Sequence, residues 1–210
     1  MFDTIQHAPH LYEWQRGEIE MNNERIKKLA SMGLMVAIVV VLQYIGSFIK
    51  LGEFSISLVL VPIVIGAALH GPLSGAFLGF VFGLVVLLSG DAAVFLAYNP
   101  LATVIVVILK GSAAGYVSGL VYQMLCQKNE MLAGVLASLS APIVNTGIFL
   151  IACALVYMPL ITSWANASEF GSNIAGYFIY GLVGANFVVE MLINSALATT
   201  IVRLIKVAKK

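Results

Sequence analysis

Long apolar runs alternate with short polar breaks along this chain, and that alternation predicts its elements. Charges crowd the first residues, become single and widely spaced after Lys50, and return in a basic tail, "KVAKK". Apolar stretches of about 20 residues, each long enough to carry a helix across ~30 Å of hydrocarbon, recur between the breaks. The first covers about 29–49 and ends at the polar turn "KLGEFS". The second, about 56–69, is short for a crossing and stops at "HGP", a helix-breaking turn around Gly71-Pro72. The third, about 73–88, is parted by "SGDAAVFLAYNP" from the fourth, which starts near Pro100, a favoured first-turn residue, and reaches about 125. "QKNE" breaks the chain before the fifth, about 131–158, and the longer polar loop "TSWANASEFGSN" precedes the sixth, about 177–204. The expectation is an all-α polytopic membrane protein, a six-transmembrane-helix bundle. Residues 1–24 form a polar cytoplasmic N-terminal segment and 25–210 a single membrane domain.

Composition agrees with the pattern. The chain is 60% hydrophobic and 10% charged, with a mean hydropathy of +0.99, against roughly 45–50% apolar and ~25% charged in soluble domains. Its net charge of +1 is not gathered into a basic patch, so nothing points to nucleic acid. Cys126 and Cys153 form no CxxC and have no histidine at metal spacing; they read as small buried hydrophobes, implying neither a disulfide nor a metal. The start of the chain is polar and acidic up to Glu24, unlike a cleaved signal peptide. Met21 opens "MNNERIKKLASMG", itself a natural start, so residues 1–20 read as an upstream extension with no assigned function.

Lysine and arginine set the orientation. With both termini cytoplasmic, Arg16, Arg25, Lys27, Lys28, Lys128, Arg203, Lys206, Lys209 and Lys210 lie inside, Lys50 lies outside and Lys110 lies within the membrane. This is the positive-inside asymmetry, and an even number of crossings fits it. The longer connections then fall on the outer face.

Residues that are costly in hydrocarbon mark the candidate chemistry. Lys110, in "VVILKGSAAG", lies about 15 Å along its helix from Pro100 at 1.5 Å per residue, near the midplane. A charge there costs at least ~2.5–3.5 kcal/mol on insertion scales, so it must face a cavity or a partner. Glu190 sits in "NFVVEMLIN", where Asn186, Glu190 and Asn194 follow at intervals of four along one helix face. Asn145, after Pro142 in "APIVNTG", adds another mid-depth amide. Two readings stay open here. Lys110 and Glu190 are either a structural ion pair, with the asparagines as interhelical glue, or part of a solute site at the midplane. Small residues give a second signal: "GPLSGAFLGFVFG", "KGSAAGYVSG" and the series Ala30, Gly33, Ala37 permit close helix approach.

Enzyme signatures are missing. The chain has no GxSxG, HExxH, dinucleotide fingerprint or phosphate loop, which points to no enzyme and no cofactor.

The sequence resembles the substrate-binding S components of energy-coupling factor (ECF) transporters, which take up vitamins in prokaryotes. The likeness spans about 22–210 and rests on "ISLVLVPIVIGAALHGPLSGAFLGFVFGL", "LKGSAAGYVSGLVY" and "NFVVEMLINSALATTIVRLIK". The resemblance implies a six-helix subunit of the prokaryotic plasma membrane that captures a small vitamin-like solute from outside. It implies partnership with a transmembrane coupling subunit and two cytoplasmic ATPase subunits, which hydrolyse the ATP. In that family small residues on the first helix contact the coupling subunit, which matches Ala30, Gly33 and Ala37. The family's pocket lies in the outer half, which would bring Glu53, Phe54, Tyr98, Asn99, Trp164 and Phe170 close to Lys110, Glu190, Asn186 and Asn145. A midplane lysine suits a carboxylate and amides suit hydroxyl and amide groups, so pantothenate is the leading solute. The alternative is a self-sufficient ion-coupled carrier using Lys110 and Glu190 as a proton relay; the lack of an evident internal repeat weighs against it.

Overall fold

The structure is a computed structural model and describes residues 9–48, 50–51, 54–55 and 58–208. The chain forms two compact units, Met1–Leu34 and Met35–Lys210. Helix α1 (Pro9–Phe48) starts twenty residues before the expected apolar span, because its polar first half has no proline or glycine pair to stop it. In the first unit residues 21–30 are exposed. Lys27 Nζ lies 3.2 Å from Glu24 Oε1 there, a surface pair that contributes little.

In the second unit α1 is followed by a short antiparallel ladder. Strand β1 (Lys50–Leu51) pairs with β2 (Phe54–Ser55), Lys50 opposite Ser55 and Leu51 opposite Phe54. Then come α2 (Leu60–His70), α3 (Pro72–Ser89), α4 (Ala93–Tyr98), α5 (Pro100–Leu125), α6 (Glu130–Leu155) and α7 (Met158–Ala167). A single turn, α8 (Ile174–Gly176), leads through a π-helical stretch (Tyr177–Gly184) into α9 (Ala185–Ala208). Four helices among the described residues are long and apolar enough to cross a membrane: Met21–Phe48, Pro72–Ser89, Pro100–Leu125 and Glu130–Leu155. The protein is a multi-pass membrane protein.

Two expected loops contain helices. In the stretch expected to be the outer polar loop, α7 buries Ile161 and Ala165, four apart, and leaves Ser163 and Asn166 outside. That one-sided pattern makes a short amphipathic helix. Between the third and fourth runs, α4 buries Phe95. The second run is shorter than its apolar sequence suggested: α2 has 11 residues, about 16 Å of helix, half the hydrocarbon thickness. It is apolar all round and its residues are mostly buried, as befits a helix enclosed by others. The turn to α3 uses Gly71 at φ 95°, a left-handed-side conformation open to glycine.

Glycines fix the centre of the bundle. Gly75, Gly79 and Gly83 of α3 lie opposite Gly115, Gly111 and the Val107–Ile108 backbone of α5, and Gly119 lies against Pro72. Each pairing joins a position moving up α3 to one moving down α5, so the two helices run antiparallel in tight backbone contact. The small residues of these two runs therefore serve packing inside the chain. Helices α5 and α6 also pack extensively, and α9 packs on α6 and α2.

Candidate functional site

The close approach of α3 and α5 positions Lys110. It follows from Gly111, and its partner Gly79 lies one turn before Phe82 on α3. The Lys110 Nζ sits 5.8 Å from the centre of the Phe82 ring and 5.5 Å from that of Phe149 on α6. An ammonium within about 6 Å of aromatic faces is attracted by their quadrupoles. Lys110 also lies within Coulombic range of Glu190 and Asp91.

These groups line one cavity of about 100 Å³. A single water needs roughly 10–15 Å³ of such space, so the cavity has room for a small solute. Helix α5 contributes Thr103, Val106, Val107 and Lys110, and α6 contributes Asn145, Thr146 and Phe149. Phe187 and Glu190 come from α9, Phe82 and Val86 from α3. Gln43 from α1 and Asp91, Ala92, Phe95 and Tyr157 from the connections complete the wall.

Several lining groups are fixed by hydrogen bonds. Gln43 donates through Nε2 to Asp91 Oδ2, tying the turn after α3 to α1. Thr103 Oγ1 donates to the Asn99 carbonyl at 2.7 Å. Its single proton is thereby used, so the Tyr157 hydroxyl, 2.8 Å away, is the donor in their contact. Asn145 differs. It is 4% exposed, and its Oδ1 is buried with no hydrogen-bond partner among the described residues.

The expected site residues divide accordingly. Lys110, Glu190 and Asn145 share the cavity. Asn99 does not line it; it caps α5, its Oδ1 accepting from the Ala102 amide at 3.1 Å. Tyr98 and Trp164 stand behind the wall. Tyr98 meets the Tyr157 ring edge-on at 6.2 Å, and Trp164 meets Phe95 at 5.7 Å. Phe170 packs on Tyr177 at 5.8 Å, away from the lining. The Asn186 side chain, Glu53 and the Phe54 side chain lie outside the described residues. Asn194 turns into its own helix, donating from Nδ2 to the Glu190 carbonyl at 2.8 Å. Sequence reasoning missed Gln43, Thr103, Thr146 and Tyr157, and placed Asp91 only in an outer loop. Polar spacing gave one signal for Gln43, the only side-chain amide inside the first apolar run. Among the described residues no group of three or more His, Cys, Asp or Glu is placed to hold a metal ion.

No curated protein matches this chain. A solved structure of ThiT from Listeria monocytogenes superposes with a TM-score of 0.60 at 21% identity, covering 87% of this chain and 98% of that one. At that identity the likeness shows a shared fold. Residues 27–202 match the family described as ECF transporter, substrate-specific component. The chain belongs to that family of non-enzymatic, substrate-binding membrane subunits.

Proposed function

We propose that this protein is the solute-capture subunit of an ATP-driven ECF importer in a prokaryotic plasma membrane, with both termini cytoplasmic and six crossings. The observation that carries the reading is the convergence of Lys110, Glu190 and Asn145, from three helices, on one cavity in a chain of this family. Isolated polar groups inside membrane helices are expensive and concentrate at solute pathways. The solute is a small water-soluble vitamin or related micronutrient taken from outside. Sequence reasoning favoured pantothenate through Lys110 and the amides; neither the family match nor the fold likeness selects it. The partners are a transmembrane coupling subunit, met through Ala30, Gly33 and Ala37, and two cytoplasmic ATPases. Each of these three small residues is exposed.

Purification of the chain alone, followed by mass spectrometry of whatever it retains, tests the proposal. A retained micronutrient that the lone chain does not transport into liposomes supports it. Uptake by the lone chain driven by a proton gradient overturns it.

A further inference from the structure

We infer that Lys110 is the cavity's resident counter-ion rather than its anion receptor, and that the captured solute carries no negative charge and donates a hydrogen bond to Asn145. The inference rests on the capture reading above and names the chemical class of its solute.

The first observation is what already surrounds Lys110. Two aromatic rings, Phe82 and Phe149, stand within 6 Å of its ammonium (5.8 and 5.5 Å). Two carboxylates, Glu190 and Asp91, lie within its Coulombic range and line the same cavity. A solute carboxylate brought to Lys110 would be a third negative group beside one ammonium, counting the described lining residues. At this depth little water screens the repulsion, and like charges in low dielectric are costly. A neutral or positively charged solute meets no such barrier.

The second observation is independent of charge. Asn145 lines the cavity, and its Oδ1 is a buried acceptor with no donor among the described residues. A buried polar atom left so is unfavourable until something supplies the missing hydrogen bond. The Tyr157 hydroxyl is not that donor, since its proton goes to Thr103. A solute N–H or O–H group fills the place. A carboxylate group has only acceptors to offer and cannot.

The test uses the full chain in detergent, the solute it retains, and three probes: thiamine as a permanent cation, riboflavin as an uncharged solute and pantothenate as an anion. A retained solute that is neutral or cationic at pH 7, with pantothenate leaving the melting temperature unchanged, is the expected result. A retained anion, or pantothenate binding that Lys110→Met abolishes at an unchanged melting temperature, overturns the inference and leaves the capture reading intact. No retained solute and no response to any probe would overturn the capture reading itself. Asn145→Leu gives the second arm. It should weaken binding of the retained solute roughly tenfold to a hundredfold, while the melting temperature of the empty protein holds or rises. A lower melting temperature with unchanged affinity would make Asn145 interhelical glue and overturn its role. Lys110→Met should lower the melting temperature, and adding Glu190→Gln should restore it.

Discussion

Gly79 and Gly111 meet backbone to backbone, and a Cβ on either would overlap the carbonyl of the other. Neither helix has a flexible side chain there that could move aside. Gly79→Ala or Gly111→Ala should therefore push α3 from α5 and destabilise the protein by about 1–3 kcal/mol, the range for overpacking. The next lysine, Lys110, and the Phe82 ring beside it shift with the helices, so solute affinity should fall as well. Thermal melting in detergent, with and without the retained solute, checks both effects. An unchanged melting temperature in both variants would contradict the backbone packing described.

Tyr157 combines a polar and an aromatic role that substitution separates. Its hydroxyl donates to Thr103, while its ring packs edge-on against Phe95 at 4.9 Å. Tyr157→Phe removes the hydroxyl only, and Thr103 keeps its bond to the Asn99 carbonyl. A loss of about 0.5–1.5 kcal/mol is expected. Tyr157→Ala empties a fully buried site in the cluster of Phe95, Cys153 and Ile161 and should cost about 3–5 kcal/mol. Unfolding measured on both variants should show that ordering; equal losses would mean that the ring contributes nothing beyond its hydroxyl.

The helices of this bundle are legible in the sequence where a single physical cause decides them. Pro100 opens α5 and the apolar run to Leu125 sustains it, so prediction and structure share both ends. The glycines at intervals of four in α3 and α5 likewise announce a close helix pair. The helix α7 was hidden because Thr162, Ser163 and Asn166 made its second half read as a polar loop, and only the spacing, with Ile161 and Ala165 inward, reveals one apolar face. In the cavity, Lys110, Glu190 and Asn145 stood out because they are isolated in apolar runs. Asp91 and Tyr157 did not, since a polar or aromatic residue in a connection is ordinary until folding brings it to the wall. That omission matters chemically. In the sequence Lys110 and Glu190 leave an ion pair and a solute site both open; Asp91 on the same cavity adds the second carboxylate on which the counter-ion proposal rests.

Asn99 illustrates how a residue with a local duty can resemble a binding residue. Its Oδ1 accepts from the Ala102 amide, satisfying a donor that the start of α5 would otherwise leave open. Asn99→Ala should lower stability by about 0.5–2 kcal/mol, whereas Asn99→Asp, an equally good cap, should not. Neither change should alter the charge preference of solute binding. If Asn99→Asp abolished capture while leaving the melting temperature in place, Asn99 would belong to the solute site after all.

The glycines of the first and third helices look alike in sequence, and their surroundings set them apart. A Cβ added at Gly33 meets nothing within 4 Å, and Ala37 is exposed. A leucine at either position is therefore accommodated by the isolated chain, in contrast to Gly79. What Gly33→Leu and Ala37→Leu remove is the close approach that a small-residue face offers to another membrane helix. The double variant should fold, retain its solute and keep its melting temperature, yet fail to co-purify with the coupling subunit and ATPases and fail in ATP-driven uptake. A control with leucine at Leu34 changed to alanine, which enlarges rather than blocks the neighbouring surface, should assemble normally. ATP-driven uptake at the wild-type rate by the double variant would remove this face from the docking surface, and loss of solute binding in it would place the first helix in the cavity's support instead.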